Sequence, residues 1–217
     1  MPRARDAKLL CCTWRHEQEA FRRGWQYVAG CDEAGRGAWL GPLYAAAVIL
    51  APSTSIHGLD DSKKLSAGRR EELDTEIRRK AVSFCVVAVS TEEVDALNVY
   101  EASRQAMLRA LGGLSPAPDY ALTDAMPLRQ GSIPHRPLIH GDARSVSIAA
   151  ASILAKVARD AHLTELDRVY PHYRLAQNKG YGTAGHLDAL RRNGPCPEHR
   201  RSFRPVQQWL LPLFPAV

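Results

Sequence analysis

The sequence predicts an α/β fold, a sheet flanked by helices with a smaller helical part at its C-terminal end. Three observations predict it. Two apolar runs, 27–31 and 43–50, flank a short glycine-bearing loop and read as strand, loop, strand. Helical patterns over 67–80, 92–97, 99–111 and 145–169 are interspersed with further strand-like segments. Two of those segments, 119–124 and 137–142, each close on an aspartate. If they are parallel neighbours, both acids emerge at one sheet edge, which is where open α/β sheets place their ligands.

The elements follow in chain order. Residues 16–25 form a short helix, charged on one side, in an N-terminal extension (1–26) to which the sequence assigns no chemistry. Strand one runs into the adjacent acids Asp32 and Glu33, and the loop after it carries Gly35-Arg36-Gly37. Burying two acids at a strand end is costly unless their charge is compensated. A hard, oxygen-seeking cation such as Mg²⁺ is the usual compensation. The same pattern also fits a tight hairpin turn with solvated charges. Strand two, 43–50, is apolar throughout, so both of its faces should be covered.

A loop with Lys63 and Lys64 precedes the helix over 67–80, whose alternating acids and bases mark a solvated face. A third strand lies within 81–90. Ser90 and Glu93 have capping-box spacing for the helix that follows. The helix over 145–169 is apolar nearly all round in its first half and should lie buried against the sheet. Asp160 stands some fifteen residues inside it, roughly 22 Å from its start, and is expected in a structural ion pair instead of a metal site. A loop over 171–182, a helix over 183–192, a basic tail and an apolar segment (206–214) complete the chain, with a boundary expected near residue 170.

Composition sets the bounds. The chain has 217 residues, room for one medium domain with an appendage. No apolar run reaches the ~18 residues of a membrane span. The basic N-terminus has no apolar core of signal-peptide length, so a cytoplasmic location is expected. Lys plus Arg outnumber Asp plus Glu by 29 to 23, a formal charge of +6 that suits a nucleic-acid partner. Cys11, Cys12, Cys31, Cys85 and Cys196 are an odd set without C-x-x-C spacing, which argues against disulfides or a zinc site and for a reducing compartment. Cys196 and His199 have no second pair with which to hold a metal.

Four carboxylates stand out: Asp32, Glu33, Asp124 and Asp142. Crowded together they would raise one another's pKa, and divalent cations would resolve the repulsion. Two ions about 3.5–4 Å apart can activate a water and stabilise the leaving oxygen of a phosphodiester. Solvated loop acids are the bland alternative.

The motifs resemble those of the bacterial type 2 ribonucleases H, the ribonuclease HII family. They are DEAGRG at 32–37, DSKKLS at 61–66, the aspartate Asp124, GDARSVSIAAASILAKVARD at 141–160, KGYGT at 179–183 and HRRSF at 199–203. They stand in family order from about residue 27 to 205. The resemblance implies a ribonuclease H-like mixed sheet, its first three strands antiparallel, flanked by helices. It implies a catalytic domain over 27–170 and a helical part over 171–217. It also implies a metal-dependent endonuclease that uses Asp32, Glu33, Asp124 and Asp142 with Mg²⁺ or Mn²⁺. The substrates implied are RNA–DNA hybrids and single ribonucleotides embedded in duplex DNA, cut to 5′-phosphate and 3′-hydroxyl ends, and a monomer is expected. By the same resemblance Gly35, Arg36 and Gly37 contact the ribonucleotide and its backbone. Tyr181 packs on a sugar and helps read the 2′-hydroxyl, the group that tells RNA from DNA. Lys63 and Lys64 are implied as phosphate contacts. Two positions depart from the family: Ala38 stands where Pro is usual after GRG, and Ala125 where Gly is usual after the third acid. The rival readings are a hybrid-binding protein without activity and another metal nuclease of the superfamily, such as a junction resolvase.

Overall fold

Strands β1 (Val28–Ala34) and β2 (Leu43–Ile49) form from the two apolar runs and pair antiparallel, with Asp32 opposite Ala46. The computed structural model describes residues 12–52, 54–128 and 133–210. After β2 come α2 (Ala67–Lys80) and β3 (Ser83–Val89), which pairs antiparallel with β2. Helices α3 (Thr91–Leu97) and α4 (Val99–Gly112) then carry the chain across the sheet to β4 (Tyr120–Asp124). Strand β4 lies parallel to β1, and β5 (His135–Leu138) lies parallel to β4, giving the order β3-β2-β1-β4-β5. The mixed sheet with three antiparallel strands first is the one expected.

Side chains alternate across a strand, and β2 shows why it had to be apolar throughout. Leu43, Ala45, Ala47 and Ile49 pack with Ala106, Met107 and Ala110 of α4 on one face. Ala46 and Val48 pack on the other against α5 (Val146–Val169) and against Leu73 and Ile77 of α2. Each fully buried Leu or Ile in these layers contributes about 1.5–3 kcal/mol. Helix α5 sits very close to β1. A Cβ on Gly30 would lie 2.1 Å from the Ser147 carbonyl carbon, so only glycine admits the first turn of the helix there. Gly30 and Asp32 share a face of β1, and the close approach therefore brings the start of α5 beside Asp32.

Helix α1 (Arg15–Arg22) belongs to the extension and has a role that the sequence did not assign. Its Glu17 is buried, and one carboxylate oxygen accepts from the backbone N–H of Ser147 at 3.0 Å and from the Ser147 hydroxyl at 2.6 Å. A carboxylate at the N-terminus of a helix satisfies its free N–H groups and its dipole. Residues 1–11 lie outside the described residues.

Three boundaries differ from expectation. Strand β5 ends at Leu138, so Asp142 does not close a strand. It sits on a 3-10 turn, Gly141–Ala143, after His140 has taken a left-handed conformation (φ 55°) that turns the chain. The segment 171–182 contains a 3-10 turn, Pro171–Tyr173, and α6 (Leu175–Asn178). Of the closing apolar segment, Val206 lies in α8 (Arg204–Gln207), while residues 211–214 lie outside the described residues. Helix α7 (Ala184–Asn193) starts at Thr183, whose side chain accepts from the His186 N–H. Leu40 and Leu163 pack with Tyr173, Leu175, Ala189 and Leu190 in a cluster that joins this C-terminal part to the sheet loops and α5. Among the described residues no helix is long and apolar enough to cross a membrane.

Candidate active site

The parallel pairing of β1 with β4 builds the site. Cys31 stands opposite Thr123 as the last pair between the two strands, so the next residues, Asp32 and Asp124, lie side by side where that pairing ends. Asp142 reaches them from the turn before α5. One carboxylate oxygen from each of Asp32, Asp124 and Asp142 lies within 4.8 Å of the other two. Backbone groups orient all three. Asp32 accepts from the Glu33 N–H at 2.7 Å, Asp124 from the Gly141 N–H at 2.7 Å and Asp142 from the Ala143 N–H at 2.9 Å. The Asp124–Gly141 bond ties the end of β4 to the turn that carries Asp142.

Glu33 stands beside this trio and is not part of it. Its nearest cation is Arg36, at 3.7 Å, and its Oε2 is buried with no protein hydrogen-bond partner among the described residues. Burial pushes the Asp32 carboxyl well above the carboxylate range, and the charges of Glu33 and Asp124 push it further. Burial also raises Glu33, to about 7, with Arg36 opposing and Asp124 adding to the rise. Asp142 is raised by burial and by Asp124, with Lys63 opposing. The Lys63 ammonium lies 3.3 Å from Asp142. Burial works against its charge, but Asp142, Asp61 and Asp32 outweigh it and raise its pKa. A set of oxygen donors that resists ionisation and keeps an orphaned carboxylate oxygen fits a hard divalent cation.

A cavity of about 510 Å³ opens over Asp32, Glu33 and Asp124, with Gly35, Arg36 and Gly37 along one part of its wall and Lys63 and Tyr181 along others. Lys64 does not line it; its ammonium is tied to Asp60 at 3.0 Å. The Tyr181 ring is partly exposed and lies over the Arg159 guanidinium, 5.5 Å from its carbon to the ring centre. The glycines beside Tyr181 do more than loosen the backbone. A Cβ on Gly180 would meet the Leu40 carbonyl oxygen at 2.4 Å, and one on Gly182 would meet the Trp39 ring at 2.0 Å. They let this loop press against the segment after β1.

Sequence reasoning missed the two buried arginines behind these loops. Arg159 donates to the carbonyls of Pro42, Lys179 and Leu40, at 3.2, 2.9 and 3.3 Å. Arg200 donates twice to the Gly41 carbonyl and once to that of Arg36, at 3.0, 2.9 and 3.1 Å. Together they staple the GRG loop, residues 40–42 and the tyrosine loop into one wall. Burial lowers the Arg200 pKa to about 9, and neighbouring Arg159 adds to the fall. A lone arginine in the apolar half of a long helix was the available signal for Arg159. Asp160, next to it, pairs with Lys156 at 2.7 Å and lies 3.8 Å from Arg70, the structural ion pair expected.

Both departures have a local account. The Ala38 N–H donates to the Gly35 carbonyl at 3.2 Å, closing the GRG turn with a bond that a proline cannot make. Ala125 takes the left-handed conformation, φ 49°, where glycine is at ease and alanine is strained.

A family model described as Ribonuclease HII matches residues 29–206. The chain belongs to the ribonuclease HII family. It is 48% identical over 205 residues to Ribonuclease HII of Desulfitobacterium hafniense, covering 94% of this chain and 79% of that one. It is 50% identical over 196 residues to Ribonuclease HII of Geobacillus kaustophilus, covering 90% and 75%. Among solved structures, ribonuclease H2 from Pyrococcus horikoshii superposes with a TM-score of 0.71 at 24% identity, over 83% of this chain and 95% of that one. The ribonuclease HII in a complex with PCNA from Archaeoglobus fulgidus superposes with a TM-score of 0.67 at 28% identity, over 80% and 91%. As a member of the ribonuclease HII family the chain is a nuclease, and its activity is that of an endoribonuclease.

Proposed function

We propose that this ribonuclease HII family member hydrolyses the RNA strand of RNA–DNA hybrids and cuts at single ribonucleotides embedded in duplex DNA. The cut leaves 5′-phosphate and 3′-hydroxyl ends, and the role is removal of ribonucleotides misincorporated into the genome. The observation that carries this reading is the convergence of Asp32, Asp124 and Asp142 oxygens within 4.8 Å, below a wall formed by the GRG loop and Tyr181. Asp32, Glu33, Asp124 and Asp142 would hold Mg²⁺ or Mn²⁺, two ions in the full complement, whose chemistry when bound is activation of the attacking water and stabilisation of the leaving oxygen.

The chain's own residues do the rest. Backbone N–H groups of Glu33, Gly141 and Ala143 hold the three aspartates in one orientation. Gly35, Arg36 and Gly37 receive the ribonucleotide and the adjoining backbone. Tyr181 packs on the sugar beside the scissile phosphate, with Arg159 behind its ring. Lys63 holds positive charge at the mouth of the acidic cluster and meets a phosphate; Lys64 contributes to the backbone field from farther out. The division proposed is an extension over 1–26 that braces α5, a catalytic domain over 27–170 and a C-terminal part over 171–217 that supplies the tyrosine loop. The enzyme works as a monomer in the cytoplasm.

The test compares all-DNA, single-ribonucleotide and all-hybrid duplexes, each with wild type and with Asp124→Asn. Cleavage of the second and third substrates, none of the first, and loss of turnover in the variant with duplex affinity kept within about tenfold are expected. Cutting of all-DNA duplex would favour a resolvase-type nuclease. Binding of hybrid with no cleavage in either metal would favour a binding protein. Normal turnover by Asp124→Asn would remove the carboxylate assignment.

A further inference from the structure

Behind the tyrosine loop lie two histidines that the chemistry of the site does not use. His186 and His199 are 0% and 1% exposed, and their Nε2 atoms are 3.0 Å apart. Only one of the two can carry the hydrogen between them. The backbone at the two ends decides which. The Cys196 N–H can only donate, and it lies 3.0 Å from His199 Nδ1. That nitrogen is therefore an acceptor, and the proton of the neutral ring sits on His199 Nε2. His199 Nε2–H then donates to His186, whose Nε2 must be bare. The proton of His186 consequently sits on Nδ1, 3.0 Å from the Tyr181 carbonyl oxygen, which can only accept. The chain of bonds runs in one direction, from the Cys196 N–H through both rings to the Tyr181 carbonyl. Protonating either ring would set donor against donor, at Cys196 or between the rings.

The surroundings agree with two neutral rings. Burial drives the His199 pKa down to about 3, and His186 adds to the fall. Burial also lowers His186, against the pull of the Tyr181 carbonyl. The groups facing the pair are the Cys196 thiol, 3.3 Å from His199 Nδ1, the rings of Tyr173 and Trp39, and the nearby His172. Burial raises the Cys196 thiol to about 11, so it stays uncharged.

We propose that His186 and His199 are positioning residues for the cleavage reaction: their one-way relay sets the Tyr181 peptide, and through it the Tyr181 ring, against the carboxylate cluster. The proposal rests on the reading that Tyr181 contacts the substrate sugar. The relay completes a clamp on the loop. Trp39 N–H donates to the Gly180 carbonyl at 2.8 Å, and Thr183 N–H donates to the Tyr181 carbonyl at 2.8 Å. His186 fills the remaining lone pair of that carbonyl. Without it the carbonyl keeps only the Thr183 bond from its own turn and is free to tilt about the Tyr181 N–H, which donates to the Asn178 carbonyl at 3.0 Å. A histidine serves better than a residue with a single polar atom, because its two ring nitrogens span from the 199 side of the cluster to the loop.

The test uses the full chain and two amide replacements that keep the site polar. His186→Asn places an N–H where Nδ1–H was, and so still reaches the Tyr181 carbonyl. His186→Gln reaches the Nε2 position, keeping His199 but losing Tyr181. Turnover on a duplex with one embedded ribonucleotide should stay within about threefold of wild type for His186→Asn and fall at least about tenfold for His186→Gln, since a small misplacement at a reacting centre is costly. The loss should fall on kcat, with KM and melting temperature little changed. In the background of Tyr181→Ala the His186→Gln loss should vanish, because both changes act through one ring. Equal rates for the two amides, or losses that multiply in the double variant, would overturn the relay's role in positioning. Nitrogen-15 NMR of the imidazoles is the second arm, with His199 expected as the Nε2–H form, His186 as the Nδ1–H form, and neither protonating between about pH 5 and 8. The opposite tautomers would overturn the relay whatever Tyr181 does. Wild-type turnover by Tyr181→Ala alone, with the expected tautomers in the spectrum, would instead remove the sugar contact while leaving the relay as a brace of the loop.

Discussion

Gly35 and Gly37 flank the same arginine and read alike in the sequence, but the structure gives them different work. Gly35 has φ +92°, and a Cβ there would lie 2.0 Å from Arg159 Nε and 2.6 Å from its Cδ. A flexible side chain can ordinarily be pushed aside, but Arg159 is fully buried and bonded to three backbone carbonyls. For Gly35→Ala the left-handed backbone costs about 1–2 kcal/mol and the overpacking about 1–3 kcal/mol. The reduced freedom of the unfolded chain returns about 0.4–1 kcal/mol. The net is a destabilisation of about 2–4 kcal/mol, or a fall in melting temperature of about 5–15 °C for a chain of this size. Gly37 has no heavy atom within 4 Å of its would-be Cβ and no left-handed φ. Gly37→Ala should therefore melt within about 2 °C of wild type, yet lose cleavage of an embedded ribonucleotide, because the methyl group occupies space that the sugar-phosphate backbone needs. Thermal melts and turnover on that duplex, measured on both variants, decide the matter. A Gly35→Ala protein as stable as wild type would show that Arg159 is not fixed behind the loop. A Gly37→Ala protein that cuts normally would show that no backbone approaches there.

Three more outcomes are expected. Lys63→Ala should weaken binding to all duplexes and reduce the log–log salt slope by roughly 0.9. Lys64→Ala, whose ammonium is held by Asp60 at 3.0 Å, should change the slope less, and equal changes would refute the distinction. Ala125 is exposed at φ 49°, so no packing offsets its strain. Ala125→Gly relieves about 1–2 kcal/mol and loses about 0.4–1 kcal/mol to the freer unfolded chain, so the melting temperature should rise by about 2 °C with activity kept; an unchanged or lower value would refute the strain. In metal-free protein Glu33, raised from 4.5 to about 7 by burial foremost, binds more protons folded than unfolded. Its contribution to stability is present below the unfolded value and is lost as pH rises through about 7. Glu33→Gln should gain on wild type in melting temperature across that window in EDTA, and a gap that does not change with pH would refute it.

Local pattern was enough for most of the elements, though not for the end of β5 or for α6. The helix over 67–80 matches α2 at both ends, because Ser66 caps its start and the chain turns extended at Ala81. The unbroken apolar run of β2 announced a strand covered on both faces. The motifs, with the family resemblance, named the acids. Hydrophobic period and capping are properties of neighbouring residues, so a sequence displays them directly. The tertiary structure alone decided the rest, since it depends on contacts between distant residues. It set Asp32 beside Asp124 through a parallel pairing, and it left Glu33 outside the trio within 4.8 Å. It moved Asp142 from a strand end to a turn because His140 reverses the chain. It separated Lys63 from Lys64 and Gly35 from Gly37, neighbours whose side chains or missing Cβ atoms meet different surroundings. It also gave Glu17 a place at the start of α5, a contact 130 residues away in the chain that no local pattern encodes.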